Sequence, residues 1–220
     1  MENGILLIDK PVGMTSFGVV ARVRRVLSQQ QAKKVKVGHT GTLDPFATGL
    51  LILVIGKECK NAGNYSKLDK VYEATIRLGK NSTTGDPEGE IIDISDIIIP
   101  TQEEIELILS NFRGEIIQQP PIYSAIKIGG QRAYKLAREG KTIEMPERQV
   151  TIHNLEIIDY KYPELKISAH VSSGTYIRTL AEDIGRTLKT GAYCIQLRRI
   201  SIAKWGVEQA KQLSDMGIVD

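Results

Sequence analysis

The longest apolar run of the chain, Leu50–Ile55, directly follows a stretch rich in glycine and threonine, residues 38–49. A short, continuous apolar run is typical of a strand buried on both faces. It is far shorter than the roughly 20 residues that a helix needs to cross a bilayer. Three glycines and one proline in the preceding stretch are typical of an ordered loop rather than of a helix or strand interior. The sequence therefore predicts a loop that a buried strand holds rigidly.

Residue alternation predicts further strands. Apolar and polar residues alternate over 71–78 and over 165–171, which indicates strands buried on one face. Strands are also expected near 5–8 and 194–200. Because strands and helices do not alternate regularly, and one-sided patterns are typical of antiparallel sheets, we predict an α+β fold. Its mixed, mostly antiparallel sheet would be flanked by helices and loops.

Capping residues and helical spacing predict four helices. Thr15 or Ser16 can cap the first, and the capping-box spacing that begins at Thr101 predicts the second. A short helix is expected over 133–138, and a longer one from about residue 177 to near Gly191. The apolar face of the first helix is expected to consist of Phe17, Val20, Val23 and Leu27.

Composition and termini narrow the class of protein. With 41% hydrophobic and 25% charged residues, the chain has the composition of an ordinary globular protein. It opens without the basic and apolar segments of a secretory leader, and Cys59 and Cys194 lie far apart. We expect a cytoplasmic monomer with one domain over residues 1–220 and no membrane contact.

Basic residues cluster twice, although the net charge is only +3. The first cluster comprises Arg22, Arg24, Arg25, Lys33, Lys34 and Lys36, and the second comprises Arg198, Arg199 and Lys204. Two interpretations remain open for each cluster: a solvated face, or a patch that binds the phosphates of a nucleic acid.

One carboxylate is the main catalytic candidate once metal sites, a serine nucleophile motif and a phosphate-binding loop are excluded. The three histidines are scattered along the chain, no G-x-S-x-G motif is present, and no G-K-[ST] follows the glycine-rich stretch. Asp44 lies in that stretch, immediately before Pro45. Its side chain could cap a helix beginning at Pro45 or point into a cleft as a nucleophile on a rigid support.

The stretch GHTGTLDPFATGLL, residues 38–51, resembles the catalytic loop of the TruB family, the bacterial tRNA pseudouridine-55 synthases. Four more segments resemble the same family in the same order: 7–16, 70–79, 119–125 and 174–180. The resemblance implies a pseudouridine-synthase fold and an enzyme that isomerises uridine 55 in the T-loop of tRNA. It implies neither a metal nor a cofactor.

The resemblance also implies roles for individual residues. Asp44 matches the nucleophile, and Tyr72 matches the aromatic residue that stacks on the flipped base and can remove its C5 proton. Arg178 matches the basic residue that pairs with the catalytic carboxylate. His39 matches a histidine placed against the displaced RNA, and Tyr176 and Leu197 match positions that line the uracil pocket. Asp86 can belong to a supporting network.

Two alternatives remain beside the tRNA enzyme. Bacterial members often carry a C-terminal RNA-binding PUA domain, for which the chain after Arg199 is too short, so we expect none in residues 1–220. A guide-RNA-dependent synthase would need partner proteins, and its relatives usually lack the histidine that matches His39. A non-catalytic module that binds or folds tRNA would not need Asp44, Tyr72 and Arg178 together.

Overall fold

The computed structural model describes residues 3–124, 126–140 and 143–218, so Ala125, at the end of one family-like segment, lies outside it. Contacts divide the chain into a first unit, residues 1–72 with 197–220, and a second unit, residues 73–196. The strands are β1 Gly4–Lys10, β2 Val37–His39, β3 Thr48–Ile55, β4 Lys70–Leu78, β5 Lys80–Ser82, β6 Ile91–Asp93, β7 Gly114–Gln118, β8 Lys127–Ile128, β9 Gln131–Arg132, β10 Arg148–Lys161, β11 Glu164–Val171, β12 Ala192–Ile202 and β13 Trp205–Gly206. The α-helices are α1 Ser16–Gln30, α2 Ala62–Ser66, α3 Gln102–Ser110, α4 Ala133–Arg138 and α5 Ile177–Thr187. Short 3-10 turns cover Gly56–Asn61, Val207–Gln209 and Ser214–Met216.

Strand β3 is the centre of the first unit. It pairs antiparallel with β1 along its length and antiparallel with β2 at its end, and it pairs in parallel with β12 at Thr48 and Gly49. Alternate β3 side chains pack against α1 on one face and against Ile202 and its neighbours on the other. The prediction that 50–55 form a strand buried on both faces is therefore confirmed.

The second unit is built on a sheet in which β4, β11, β10 and β7 are neighbours in that order. β10 pairs antiparallel with both β11 and β7. Two small sheets, β5 with β6 and β8 with β9, are separate from it. Along β4 the buried and less buried residues alternate strictly, and the predicted α+β class with a mostly antiparallel sheet is confirmed.

The predicted N-terminal caps of α1 and α3 are confirmed, but the predicted buried face of α1 is wrong in one residue. Thr15 caps α1 through Gly18 N, and Thr101 forms the predicted capping box of α3 with Glu104. The buried face of α1, however, consists of Ser16, Val19, Val20, Val23 and Leu27. Phe17 is 63% exposed, so its predicted place in the core is wrong.

No helix in the described part of the chain is long and apolar enough to cross a membrane.

Candidate active site

Asp44 lies in the loop that joins β2 to β3. Its carbonyl oxygen accepts a hydrogen bond from Ala47 N at 3.1 Å, which closes a turn with Pro45 and Phe46 at its centre. The structure has no helix beginning at Pro45, so the helix-capping alternative for Asp44 is wrong. The loop itself is shorter than predicted, because residues 38, 39, 48 and 49 belong to strands.

Hydrogen bonds hold the backbone on both sides of Asp44. The Ser16 hydroxyl donates to Leu43 O at 3.0 Å and accepts from Leu43 N at 2.8 Å. Gly13 N donates to Pro45 O at 2.8 Å. The segment that leads into α1 therefore fixes the position of the half-buried carboxylate, as a nucleophile requires.

A buried lysine stands close to the carboxylate. Lys10 is 0% exposed, and its ammonium donates to the carbonyl oxygens of Met14, Pro11 and Pro45 at 2.6, 2.8 and 3.3 Å. Burial lowers the pKa of Lys10 to about 8, the Asp44 carboxylate opposes this shift, and the Arg199 guanidinium adds to it. The Lys10 ammonium and the Asp44 carboxylate therefore interact electrostatically.

Arg199 supports the same loop from β12. It is almost completely buried, and its Nε and Nη2 donate to Leu50 O at 2.7 Å and Gly41 O at 3.1 Å. Gly49 has φ +101, and a Cβ there would collide with the Arg199 backbone. Only glycine fits so close an approach. In the second basic cluster Arg199 is internal, whereas the Arg198 side chain is 40% exposed and pairs with Asp9 at 2.7 Å.

Three more predicted site residues belong to the first unit. Tyr72 is buried on β4, with Lys70 on the same face of the strand. Leu197 is buried on β12. His39 is the last residue of β2, is half-buried and pairs with Leu53.

Lys70 makes the stability of the protein depend on pH. Its ammonium donates to Ser66 O at 3.0 Å and to Leu68 O. Burial lowers the pKa of Lys70 to about 8, the Arg199 guanidinium adds to the shift, and the Asp69 carboxylate opposes it. Between pH 8 and an ordinary lysine pKa of about 10.4, the unfolded chain therefore holds a proton that the folded chain has lost.

We expect the wild-type free energy of unfolding to rise with pH across this window relative to Lys70→Met, which lacks the titrating group. Denaturant titrations of both proteins between pH 7.5 and 10.5 measure the difference, and terms shared by the two proteins cancel. A difference that stays constant would show that Lys70 has an ordinary pKa.

Arg178 is a buried residue of α5 in the second unit, with only 4% of its surface exposed. Its Nη1 donates to Asp86 Oδ2 and to Thr84 O, and its Nη2 donates to Tyr123 O, each at 2.9 Å. The second oxygen of Asp86 accepts from Thr84 Oγ1 at 2.6 Å and from Glu88 N at 3.0 Å. The alternative that Arg178 is a plain surface arginine is wrong, and Asp86 is its ion-pair partner.

Tyr176 immediately precedes α5 and is half-buried. The side-chain amide of Gln118, a buried residue of β7, accepts from Tyr176 N at 3.0 Å and donates to Tyr176 O at 3.3 Å. Sequence reasoning missed Gln118, as well as Lys10, Lys70 and Arg199. A signal for Lys10 was available, since it falls on the same face of β1 as the buried Ile8.

The three histidines are too far apart in sequence to predict a pair, but in the structure two of them are neighbours. The rings of His153 and His170 lie 4.8 Å apart, centroid to centroid, on the neighbouring strands β10 and β11. Residues distant in sequence can face each other across an antiparallel pair, which a search for short motifs does not detect.

A carboxylate on a loop held by hydrogen bonds, with a buried ammonium that interacts with it, belongs to a class of site that nucleophilic catalysis can use. Comparison with known proteins makes the class specific. Residues 24–177 match the family described as TruB family pseudouridylate synthase (N terminal domain). The chain belongs to the TruB family of pseudouridylate synthases.

Named relatives agree with this assignment. The chain is 45% identical to tRNA pseudouridine synthase B of Mycobacterium sp. (strain KMS), over 96% of this chain and 71% of the relative. It is 44% identical to tRNA pseudouridine synthase B of Nitrosococcus oceani, over 97% of this chain and 68% of that protein. Among solved structures, a chain of a Cbf5-Nop10-Gar1 complex aligns with a TM-score of 0.74 at 27% identity, covering 96% of this chain and 53% of that one. The chain thus spans about half the length of that solved protein.

Proposed function

We propose that the chain is a tRNA pseudouridine synthase that isomerises uridine 55 in the T-loop, with Asp44 as its nucleophile. The observation that carries the proposal is the loop itself. Hydrogen bonds hold the residues on either side of Asp44, and the buried Lys10 ammonium interacts electrostatically with the carboxylate. The family and the names of the relatives support this reaction and this substrate.

In the proposed reaction the uridine leaves its stack so that Asp44 can reach it. The carboxylate forms a bond to C1′ of the ribose or to C6 of the base, and the bond between N1 and C1′ breaks. The uracil then rotates, C5 bonds to C1′, and the carboxylate is released. The product is an isomer of the substrate, with the C5 proton lost and N1 protonated. In this proposal Tyr72 stacks on the flipped base and its phenolic oxygen takes the C5 proton.

The charges around the loop suit this chemistry. The Lys10 ammonium interacts electrostatically with the Asp44 carboxylate. Arg178 has the role that the resemblance implies, that of a basic residue acting on the carboxylate. Its contacts with Asp86, Thr84 and Tyr123 fix its guanidinium before substrate binds. Each step moves a proton or forms a bond to carbon, so the proposal includes no metal or cofactor.

The proposed partner is the T-arm stem-loop of tRNA. His39 is proposed to lie against the displaced loop segment, and Tyr176 and Leu197 to contact the uracil. The first basic cluster is the proposed phosphate-binding surface, since Arg25, Lys33, Lys34 and Lys36 are exposed. We further propose that residues 1–220 act as one catalytic domain, as a monomer in the cytoplasm.

A guide-dependent synthase is the second candidate, because the solved structures that align include Cbf5 in complexes with other proteins. Identity favours the tRNA enzyme, at 45% against 27%. The two candidates differ in a simple observation, since only a guide-independent enzyme modifies tRNA without guide RNA or partner proteins.

The test compares an isolated T-arm stem-loop with an unstructured strand of the same loop sequence. We expect the folded RNA to react and the linear strand to lose most activity, because the linear strand must be ordered on binding. His39→Ala should slow reaction of the folded RNA, since a ring stacked on bases contributes about 1–3 kcal/mol. Release of tritium from C5-labelled uridine under single-turnover conditions measures each rate. Equal activity on the two RNAs would contradict recognition of the folded T-loop.

A further inference from the structure

Two exposed apolar side chains lie on the segment that holds the Asp44 loop. Val12 is 67% exposed and Phe17 is 63% exposed. Val12 adjoins Gly13, which donates to Pro45, and Phe17 adjoins Ser16, which is bonded to Leu43. Isolated exposed apolar residues are common on protein surfaces. These two are placed next to the residues that flank the proposed nucleophile.

Phe17 contributes little to the core. The buried face of α1 consists of Ser16 and four aliphatic residues, and the Phe17 ring is not among them. The ring is therefore available for a contact outside the core, next in sequence to a residue that holds the Asp44 loop.

One guanidinium lies over the Phe17 ring, and a second lies beside the next residue of the helix. Arg24 follows Phe17 by two helical turns and so lies on the same stripe of α1, with its Cζ 6.0 Å from the ring centroid. Arg22 Nη1 lies 3.5 Å from the position that a Cβ on Gly18 would occupy. Asp44 is the only acidic residue between Lys10 and Lys57. The surface around the ring is thus aromatic and cationic.

We propose that Phe17 is a second base-stacking position, which binds a nucleotide of the substrate loop next to the flipped uridine, while Arg24 and Arg22 contact its phosphates. This inference rests on the proposed function and extends the RNA contacts beyond the uracil pocket. Flipping one base unstacks its neighbours, and an aromatic ring offers any exposed base a replacement partner whatever its sequence. Arginine beside such a ring adds phosphate contacts and cation–π stabilisation.

A protein partner fits this surface less well. The fully buried core of a protein interface is depleted of charged residues, whereas Phe17 lies among guanidiniums with no acidic neighbour in α1. A nucleotide presents both of the complementary groups, an apolar base face and an anion.

The test is the affinity for the T-arm stem-loop of four variants. Phe17→Ala should weaken binding by roughly 5- to 100-fold, the effect of removing one aromatic partner of a base. Phe17→Trp should bind within about threefold of wild type, because it keeps an aromatic face. Phe17→Leu keeps apolar area without a ring and should resemble Phe17→Ala. Leu107→Ala is the matched control, since Leu107 is 69% exposed on α3 of the second unit and should bind as wild type does.

A second readout separates stacking from a general loss of affinity. Stem-loops with 2-aminopurine at single loop positions report stacking by quenched fluorescence. We expect one position beside the target uridine to be quenched by wild type and Phe17→Trp, and to recover its fluorescence with Phe17→Ala. Unchanged affinity of Phe17→Ala, wild-type affinity of Phe17→Leu, or identical fluorescence at every position would overturn the inference. If the wild type released no tritium, the proposed function would fail instead. If the wild type released tritium and Phe17→Ala bound the stem-loop as tightly as wild type, only the stacking position would be ruled out.

Discussion

Replacing Asp44 by Asn should abolish turnover and leave RNA binding within about tenfold of wild type, because contacts to shape and phosphate supply most of the affinity. The amide has nearly the shape of the carboxylate but is not a nucleophile. The hydrogen bonds that hold the loop are made by Ser16, Gly13 and the loop backbone. They remain in the variant, so the loop should keep its position.

The control for this variant is Asp93→Asn, which also removes one carboxylate. Asp93 is exposed and pairs with Lys80 at 2.9 Å, and a surface pair of this kind contributes about 0–1 kcal/mol. Asp93→Asn should turn over as wild type does. Residual activity of Asp44→Asn above roughly 1% would remove Asp44 from the nucleophile role, since loss of a covalent nucleophile costs several orders of magnitude.

Replacing Asp86 by Asn should reduce both stability and activity. Arg178 and Asp86 are both almost fully buried, at 4% and 6% side-chain exposure. Replacing the Asp86 carboxylate breaks this buried ion pair, which costs about 3–5 kcal/mol. The guanidinium also loses one of the three contacts that fix its position, and in the proposed role of Arg178 a displacement of about 1 Å can lower the rate on the order of 100-fold. Denaturant unfolding and single-turnover tritium release measure the two effects.

Asp183→Asn provides a matched control, because Asp183, like Asp86, pairs with an arginine of α5. Asp183 pairs with Arg186 at 2.8 Å, and the pair is open to solvent on the Arg186 side, with side chains 75% (Arg186) and 19% (Asp183) exposed. Loss of such a pair should change the free energy of unfolding by at most about 1 kcal/mol. Equal effects of the Asp86 and Asp183 variants would show that the buried pair has no special role.

Helices and strands that depend on neighbouring residues could be predicted from the sequence. The capping box at Thr101 and the strict alternation of β4 were sufficient to predict α3 and a half-buried strand. The longest strand, β10, escaped prediction because its register shifts between Ile152 and Asn154 and again between Ile157 and Asp159. Each irregularity interrupts the period of two that identifies a strand.

The site residues also fall into two groups: those that a motif identifies, and those that depend on contacts between distant parts of the chain. The resemblance identified Asp44 and Arg178 by their motifs, but burial of their surroundings depends on residues far away in the chain. Arg178 meets Asp86 across 92 positions, and Arg199 meets Leu50 across 149. A run of basic residues in the sequence looks like a surface cluster. The run does not indicate which of its cations will be buried and hydrogen-bonded to carbonyl oxygens.

The most direct test of the central claim is tritium release from whole tRNA transcripts labelled at C5 of every uridine. The wild-type chain, without guide RNA, partner proteins or added metal, should release one equivalent of tritium per tRNA. A transcript with cytidine in place of uridine 55 should release none, and neither should Asp44→Asn with the unaltered transcript. Equal release from the two transcripts, or release by Asp44→Asn at the wild-type rate, would contradict the account.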